Sequence, residues 1–229
     1  KHITLTHAGE HFYEYSQRFL ELEEKMKMEI NSCNTYSKII NIGCVNCIYN
    51  CHLKPHISQL MNKHTNICLN VILDHSRHLL NRLHDNSIDV CFSYLATNEI
   101  SYKCIPYKTD EIIFVTNSQN IQFSNGIHNG EILHLPIIYS KFMPKSGFDW
   151  IHDIFPPHYV FQFTISVIKE IIPFLLQYPY YAFLPRKLIE KELKDGLLIE
   201  IPLLDYHIPP LQSYIIMKSN AKYNPLDYF

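Results

Sequence analysis

No apolar run in the chain approaches the roughly 18 residues that a membrane-spanning helix needs. The opening stretch, KHITLTHAGEHF, lacks the apolar core of a secretory signal. These absences point to the cytoplasm, where thiols stay reduced, and argue against a membrane partner. Basic charge is not in excess either: 20 Lys and Arg face 22 Asp and Glu, a formal net charge of −2. A chain so balanced has no surface built to grip phosphate. The signatures G-x-S-x-G, H-E-x-x-H and G-x-x-x-x-G-K-[ST] are missing, so neither an enzymatic activity nor a cofactor is expected. No tandem repeat or low-complexity tract interrupts the sequence. Cysteine is missing from the second half. All seven lie between residues 33 and 104, and the odd count argues against a full set of disulfides. The chain does not begin with Met and reads as part of something longer.

What is present is globular. Of 229 residues, 47% are hydrophobic and 18% charged, enough for one large domain or two small ones. Residues 8–31 contain no Pro and, after Gly9, no Gly. Within them Phe12, Tyr15, Phe19, Leu22 and Met26 recur at alternating steps of three and four, a heptad seam on one long helix. Thr6 is its expected N-cap. Such a seam suits a self-pairing dimerisation helix or a helix packed on its own body. Glu21, Glu23, Glu24, Lys25 and Lys27 are expected mostly in solvent. Residues 32–37 are polar and read as a linker.

Strand-like and helical stretches then alternate. KIINIGC (38–44), ICLNVILD (67–74) and IDVCFSYL (88–95) read as strands. LKPHISQLMNKH (53–64) and SRHLLNRLHDN (76–86) read as helices, the first with Leu53, Ile57, Leu60 and Met61 on one face, the second with Ser76 as N-cap. Residues 103–117 carry one or two more strands, and a polar passage covers 118–130. Further strands are expected at 132–140, 159–166, 180–185, 197–204 and 210–219, with helices at 148–155, 167–178 and 186–196. This order implies parallel strands with helical crossovers. It gives two α/β lobes with a cleft between them, where ligands sit at the carboxyl ends of strands beside helix N-termini.

One stretch stands apart. GCVNCIYNCH (43–52) holds three cysteines and a histidine. Cys44, Cys47 and Cys51 could share a metal ion, or a cysteine at a helix N-terminus could be redox-active. They could equally be small buried side chains. HAGEH (7–11) places two histidines four apart, and both read as exposed.

Several motifs carry a family resemblance: TLTHAG (4–9) ahead of the long helix, INIGC (40–44), LKP (53–55), SRHLLNRLHDNSIDVCFSY (76–94), and AFLPRKLI (182–189) followed by GLLIEIP (196–202). In order and spacing the chain resembles the LysR-type transcriptional regulators. It departs from them at Tyr178, Pro179, Tyr180 and Tyr181, where the family has G-x-G, and the helix-turn-helix is not in this chain. The resemblance implies an α/β fold: a two-lobed type II periplasmic-binding-protein-like regulatory domain preceded by a long N-terminal linker helix. The implied divisions are a remnant of the DNA-binding wing (1–7), a linker and dimerisation helix with hinge (8–37), lobe I (38–118 and 209–229) and lobe II (119–208).

The resemblance further implies that a small-molecule effector binds between the lobes and changes operator binding or transcription activation by the full-length protein. That protein is expected to be a homodimer or homotetramer, reaching DNA only through the N-terminal winged helix-turn-helix. The implied effector-binding positions are Val45, Asn46, Cys47, Ile48, His75, Ser76, Ser93 and Tyr94 in lobe I, with Tyr139, Ser140, Thr164, Ser166, Tyr178 and Tyr181 in lobe II. Dimerisation falls to Phe12, Tyr15, Phe19, Leu22 and Met26. Arg77 and Lys141 are the nearest cations to the expected strand ends, so an effector with several negative charges is disfavoured. No metal is implied, with Cys44, Cys47 and Cys51 as the alternative ligands. One branch of the family senses peroxide through two cysteines in lobe II, where this chain has none. The alternatives are a cysteine-based metal or redox sensor of the same family and a solute-binding protein of related fold. The missing signal and the heptad helix weigh against the last.

Overall fold

The computed structural model describes residues 5–32, 36–140 and 150–221. The long helix is α1 (His7–Ser32). Its cap is the expected one, since the Thr6 hydroxyl accepts the Gly9 N–H at 3.1 Å. The five seam residues face outward, 45% to 76% exposed. The charged side was expected in solvent, but Glu21 and Lys25 turn toward the body, because Arg82 and Asp89 wait there.

Among the described residues ten strands follow: β1 (Lys38–Cys44), β2 (Ile67–Leu73), β3 (Val90–Ser93), β4 (Tyr102–Asp110), β5 (Ile112–Asn117), β6 (Ile138–Ser140), β7 (Phe163–Ile165), β8 (Tyr181–Pro185), β9 (Leu198–Glu200) and β10 (Leu211–Lys218). The first sheet has the order β2-β1-β3-β10-β4. β1 runs parallel to β2 and β3, as crossover helices require. β10 is antiparallel to both its neighbours, so the sheet is mixed rather than all parallel. The last strand returns from the second sheet and inserts with the opposite sense.

Gly43 sets how closely the crossover helix α4 (Ser76–His84) lies on β1. A Cβ there would collide with Ile88 Cδ1 and lie 2.9 Å from Leu79 Cδ2. Two residues earlier, the N–H and side-chain amide of Asn41 both donate to Asp89, at 2.7 and 3.1 Å, which satisfies a polar residue inside an apolar strand.

The second sheet is antiparallel, in the order β8-β5-β9, and β6 and β7 form a parallel pair beside it. A lobe boundary at residue 118 would keep β5 with the first sheet, yet β5 pairs in the second. Its Ile112–Val115 run is buried on both faces and finds apolar partners on β8. The chain therefore changes sheets at Glu111, where Arg186 reaches Glu111 at 2.5 Å and Glu200 at 2.6 Å. Smaller differences have local causes. Pro173 does not break the helix Ile171–Gln177, because it lies in the first turn, where an N–H has no intrahelical partner. Met61 is exposed rather than on the buried face of α3 (Lys54–Lys63).

Candidate functional site

The carboxyl ends of β1, β2 and β3 are tied to one another. The Val45 N–H donates to the Phe92 carbonyl at 3.0 Å and the Asp74 N–H to the Cys44 carbonyl at 3.2 Å. The Ser76 hydroxyl accepts the Tyr94 N–H at 3.3 Å. Ser76 is therefore not the N-cap of α4; His75 holds that position, and Ser76 spends its hydroxyl on the neighbouring strand end. After Val45 the chain forms α2 (Asn46–Ile48), then a wide π-type turn over Tyr49–Leu53 that leads into α3. Such turns often mark functional positions in helices. α2 packs against the 3-10 turn Ile168–Glu170 that follows β7, and the π-type turn packs against Arg186–Ile189 after β8. Here the two sheets' strand ends meet.

Thiols and a phenol fill the lobe I side. Cys47 Sγ lies 3.8 Å from Cys51 Sγ. The Tyr94 hydroxyl adjoins the Cys47 thiol, and burial, with that contact, holds its proton well above the usual tyrosine range. The hydrogen bond to Cys47, then burial, pushes the Cys51 thiol up. Burial, then the neighbouring Cys91 and Cys47, does the same for Cys44. Cys44 and Cys51 therefore hold their protons near neutral pH. The alternative ligand set of Cys44, Cys47 and Cys51 does not assemble. The Cys44 thiol turns to the Val45 carbonyl at 3.4 Å, and among the described residues no three His, Cys, Asp or Glu side chains converge on a metal position.

A neighbouring pair was invisible in the sequence. His52 Nε2 lies 2.8 and 3.0 Å from the two carboxylate oxygens of Asp110. The partners are 58 residues apart, and no local pattern links them.

Of the remaining positions in lobe I, Val45, Ile48 and Ser93 are buried, and the Ser93 hydroxyl accepts the Leu95 N–H at 2.9 Å. Asn46 is half-buried and accepts the Asn50 side chain at 3.1 Å. His75 is exposed, edge-on to His78. In lobe II, Tyr139 stacks on Phe161 with centroids 4.3 Å apart, and its register partner on β7 is Thr164. Ser140, at the carboxyl end of β6, is 2% exposed, and among the described residues its hydroxyl has no hydrogen-bond partner. Ser166 and Tyr178 are exposed. Tyr181 opens β8 and is buried in the core of the second sheet against Phe114 and Phe123, at the amino rather than the carboxyl end of its strand. Lys141 lies outside the described residues.

The family model for the LysR substrate binding domain matches residues 34–226. No match was found among curated protein sequences. Several solved structures are similar. CrgA, a LysR-type transcriptional regulator from Neisseria meningitidis, aligns at 12% identity over 95% of this chain and 74% of that chain, with a TM-score of 0.66. A hydrogen-peroxide-bound OxyR mutant from Corynebacterium glutamicum aligns at 18% identity over 95% and 71%, TM-score 0.60. The BenM effector binding domain with its effector benzoate aligns at 16% identity over 84% and 89%, TM-score 0.61. At such identities the likeness speaks for the fold: a two-lobed, type II periplasmic-binding-protein-like regulatory domain with an N-terminal helix.

Proposed function

This chain belongs to the LysR substrate binding domain family, and from that premise we propose that it is the effector-sensing and dimerising part of a DNA-binding transcriptional regulator, not an enzyme. A small molecule binds where α2 meets the turn after β7. Lobe I, the sheet of β1–β4 and β10, supplies Val45, Cys47, Ile48, Ser76, Ser93 and Tyr94. Lobe II, from β5 to β9, supplies Tyr139, Ser140 and Thr164. The observation that carries this reading is the Ser140 hydroxyl, buried and without a hydrogen-bond partner among the described residues. A polar group left so inside a protein costs free energy that a ligand's hydrogen bond recovers.

The effector is neutral, aromatic or singly charged. Neutral thiols and a phenol form one wall, and the Tyr139–Phe161 stack stands on the other lobe. One structural neighbour has benzoate, a monocarboxylate, as its effector. Binding shifts the lobes about the crossings near Glu111 and Pro210, and the shift passes to DNA-binding domains that precede this chain. The outward seam of α1 pairs with a second copy, and the whole regulator works in the cytoplasm as a homodimer or homotetramer.

Calorimetry with a panel of aromatic monoacids, neutral aromatics and tricarboxylates tests the reading. A monoacid or neutral compound should bind one per chain, and Ser140→Val should weaken it at least tenfold without lowering Tm. Tight binding confined to tricarboxylates would contradict it.

A further inference from the structure

Two thiols in the lobe I wall form a pair. Cys47 lies in α2 and Cys51 in the π-type turn that follows, four residues on. Side chains at that spacing share one face of a helical stretch, and here their sulfurs stand 3.8 Å apart. Both thiols are free and buried, 0% and 5% exposed. Two metal–sulfur bonds of about 2.3 Å, opened to an angle between tetrahedral and linear, span about 3.8 to 4.6 Å. The two sulfurs already stand at the short end of that span.

The surrounding groups decide which ion suits the pair. Zinc in a structural site takes four ligands. Cys44 turns its thiol to the Val45 carbonyl, His52 Nε2 is held by Asp110, and among the described residues no three His, Cys, Asp or Glu side chains converge. Two sulfurs without a third ligand suit a soft monovalent ion, Cu(I) before Zn(II). Binding trades two thiol protons for one positive charge, so the loaded pair is an anion. The Tyr94 hydroxyl adjoins Cys47 and holds its proton firmly, which makes it a donor to a thiolate. Lys187, in the turn after β8, favours the charged form of Cys51, while Asp110 acts against it.

We propose that Cys47 and Cys51 form a two-thiolate site for a soft monovalent cation of the Cu(I) class. Two thiol protons pass to solvent, two sulfur–metal bonds form, and no electron is transferred. α2 packs against the turn after β7, and the π-type turn packs against Arg186–Ile189. An ion that clamps α2 to the π-type turn therefore stiffens the stretch that touches lobe II at two places. The chain gains an inorganic input beside the organic one, and either can fail without the other.

Anaerobic titration of the whole reduced chain with Cu(I), buffered by the chelator bicinchoninate, tests it. One Cu(I) per chain should be withdrawn from the chelator. Because two protons leave, the affinity should rise about a hundredfold per pH unit between about pH 6 and 8. Cys47→Ser and Cys51→Ser, checked for native circular dichroism, should each lower it about a hundredfold or more, while Cys68→Ser and Cys104→Ser leave it unchanged. X-ray absorption of the loaded wild-type chain needs no variant and should show a first shell of two sulfurs. Copper left with the chelator, or retention indifferent to Cys47→Ser and Cys51→Ser, overturns the proposal. So does a first shell containing nitrogen or oxygen, or zinc held as tightly as copper.

Discussion

His52 Nε2 sits 2.8 Å from Oδ1 and 3.0 Å from Oδ2 of Asp110, tying the turn beside the cleft to the last residue of β4. The next residue but one already belongs to the second sheet. The pair therefore fastens lobe I at the point where the chain leaves it. Its side chains are 11% and 2% exposed, so the carboxylate leans on this partner, with Lys187 acting on it only at longer range. His52→Ala should cost about 3 kcal/mol in urea unfolding. A loss below half that would show the carboxylate is satisfied in another way.

Gly43→Ala should destabilise by about 1–3 kcal/mol, because the added methyl overfills the contact between β1 and α4. The nearest atom is the Cδ1 of Ile88. Ile88→Val removes that atom, so the double variant should lose less than the sum of the single losses. Thermal and urea unfolding of the three variants checks this coupling.

Stability should fall in alkali for a reason specific to the thiols. The folded-state pKa values of Cys44 and Cys91 are raised, in each case chiefly by burial, and that of Cys51 chiefly by its bond to Cys47. Below pH about 8.5 each is protonated whether the chain is folded or not, and contributes no pH dependence. Above it only the unfolded chain releases these protons, so stability drops by up to about 1.4 kcal/mol per pH unit per thiol. Urea titrations between pH 7 and 10 measure the slope, and Cys91→Ala should reduce it. In the native protein, half-buried Cys68 and Cys104 should react with a thiol reagent before these three.

The parts of the fold written locally were legible. The α1 seam, the Thr6 cap and the strand carrying Gly43 each depend on residues within a turn or two of one another. Pairings across long stretches were not. Nothing near Ile112 says that its strand joins Phe183 and Leu184 rather than its neighbour β4. Nothing near Glu21 says that Arg82, 61 residues on, will draw the charged face of the helix onto the body. The motif register led to Val45, Cys47, Ser76 and Tyr94, and of these the structure sets Ser76 and Cys47 beside Tyr94. It could not separate half-buried Tyr139, next to the carboxyl end of β6, from Tyr181, buried at the amino end of β8, since both are tyrosines on apolar strands.

A small molecule held between two lobes is tested most directly by hydrogen exchange read by mass spectrometry, with and without a saturating aromatic monoacid that binds by calorimetry. Exchange should slow together at residues 45–48 and 93–94 of lobe I and 139–140 and 163–166 of lobe II. Slowing confined to one lobe, or to α1 and α4, would contradict it.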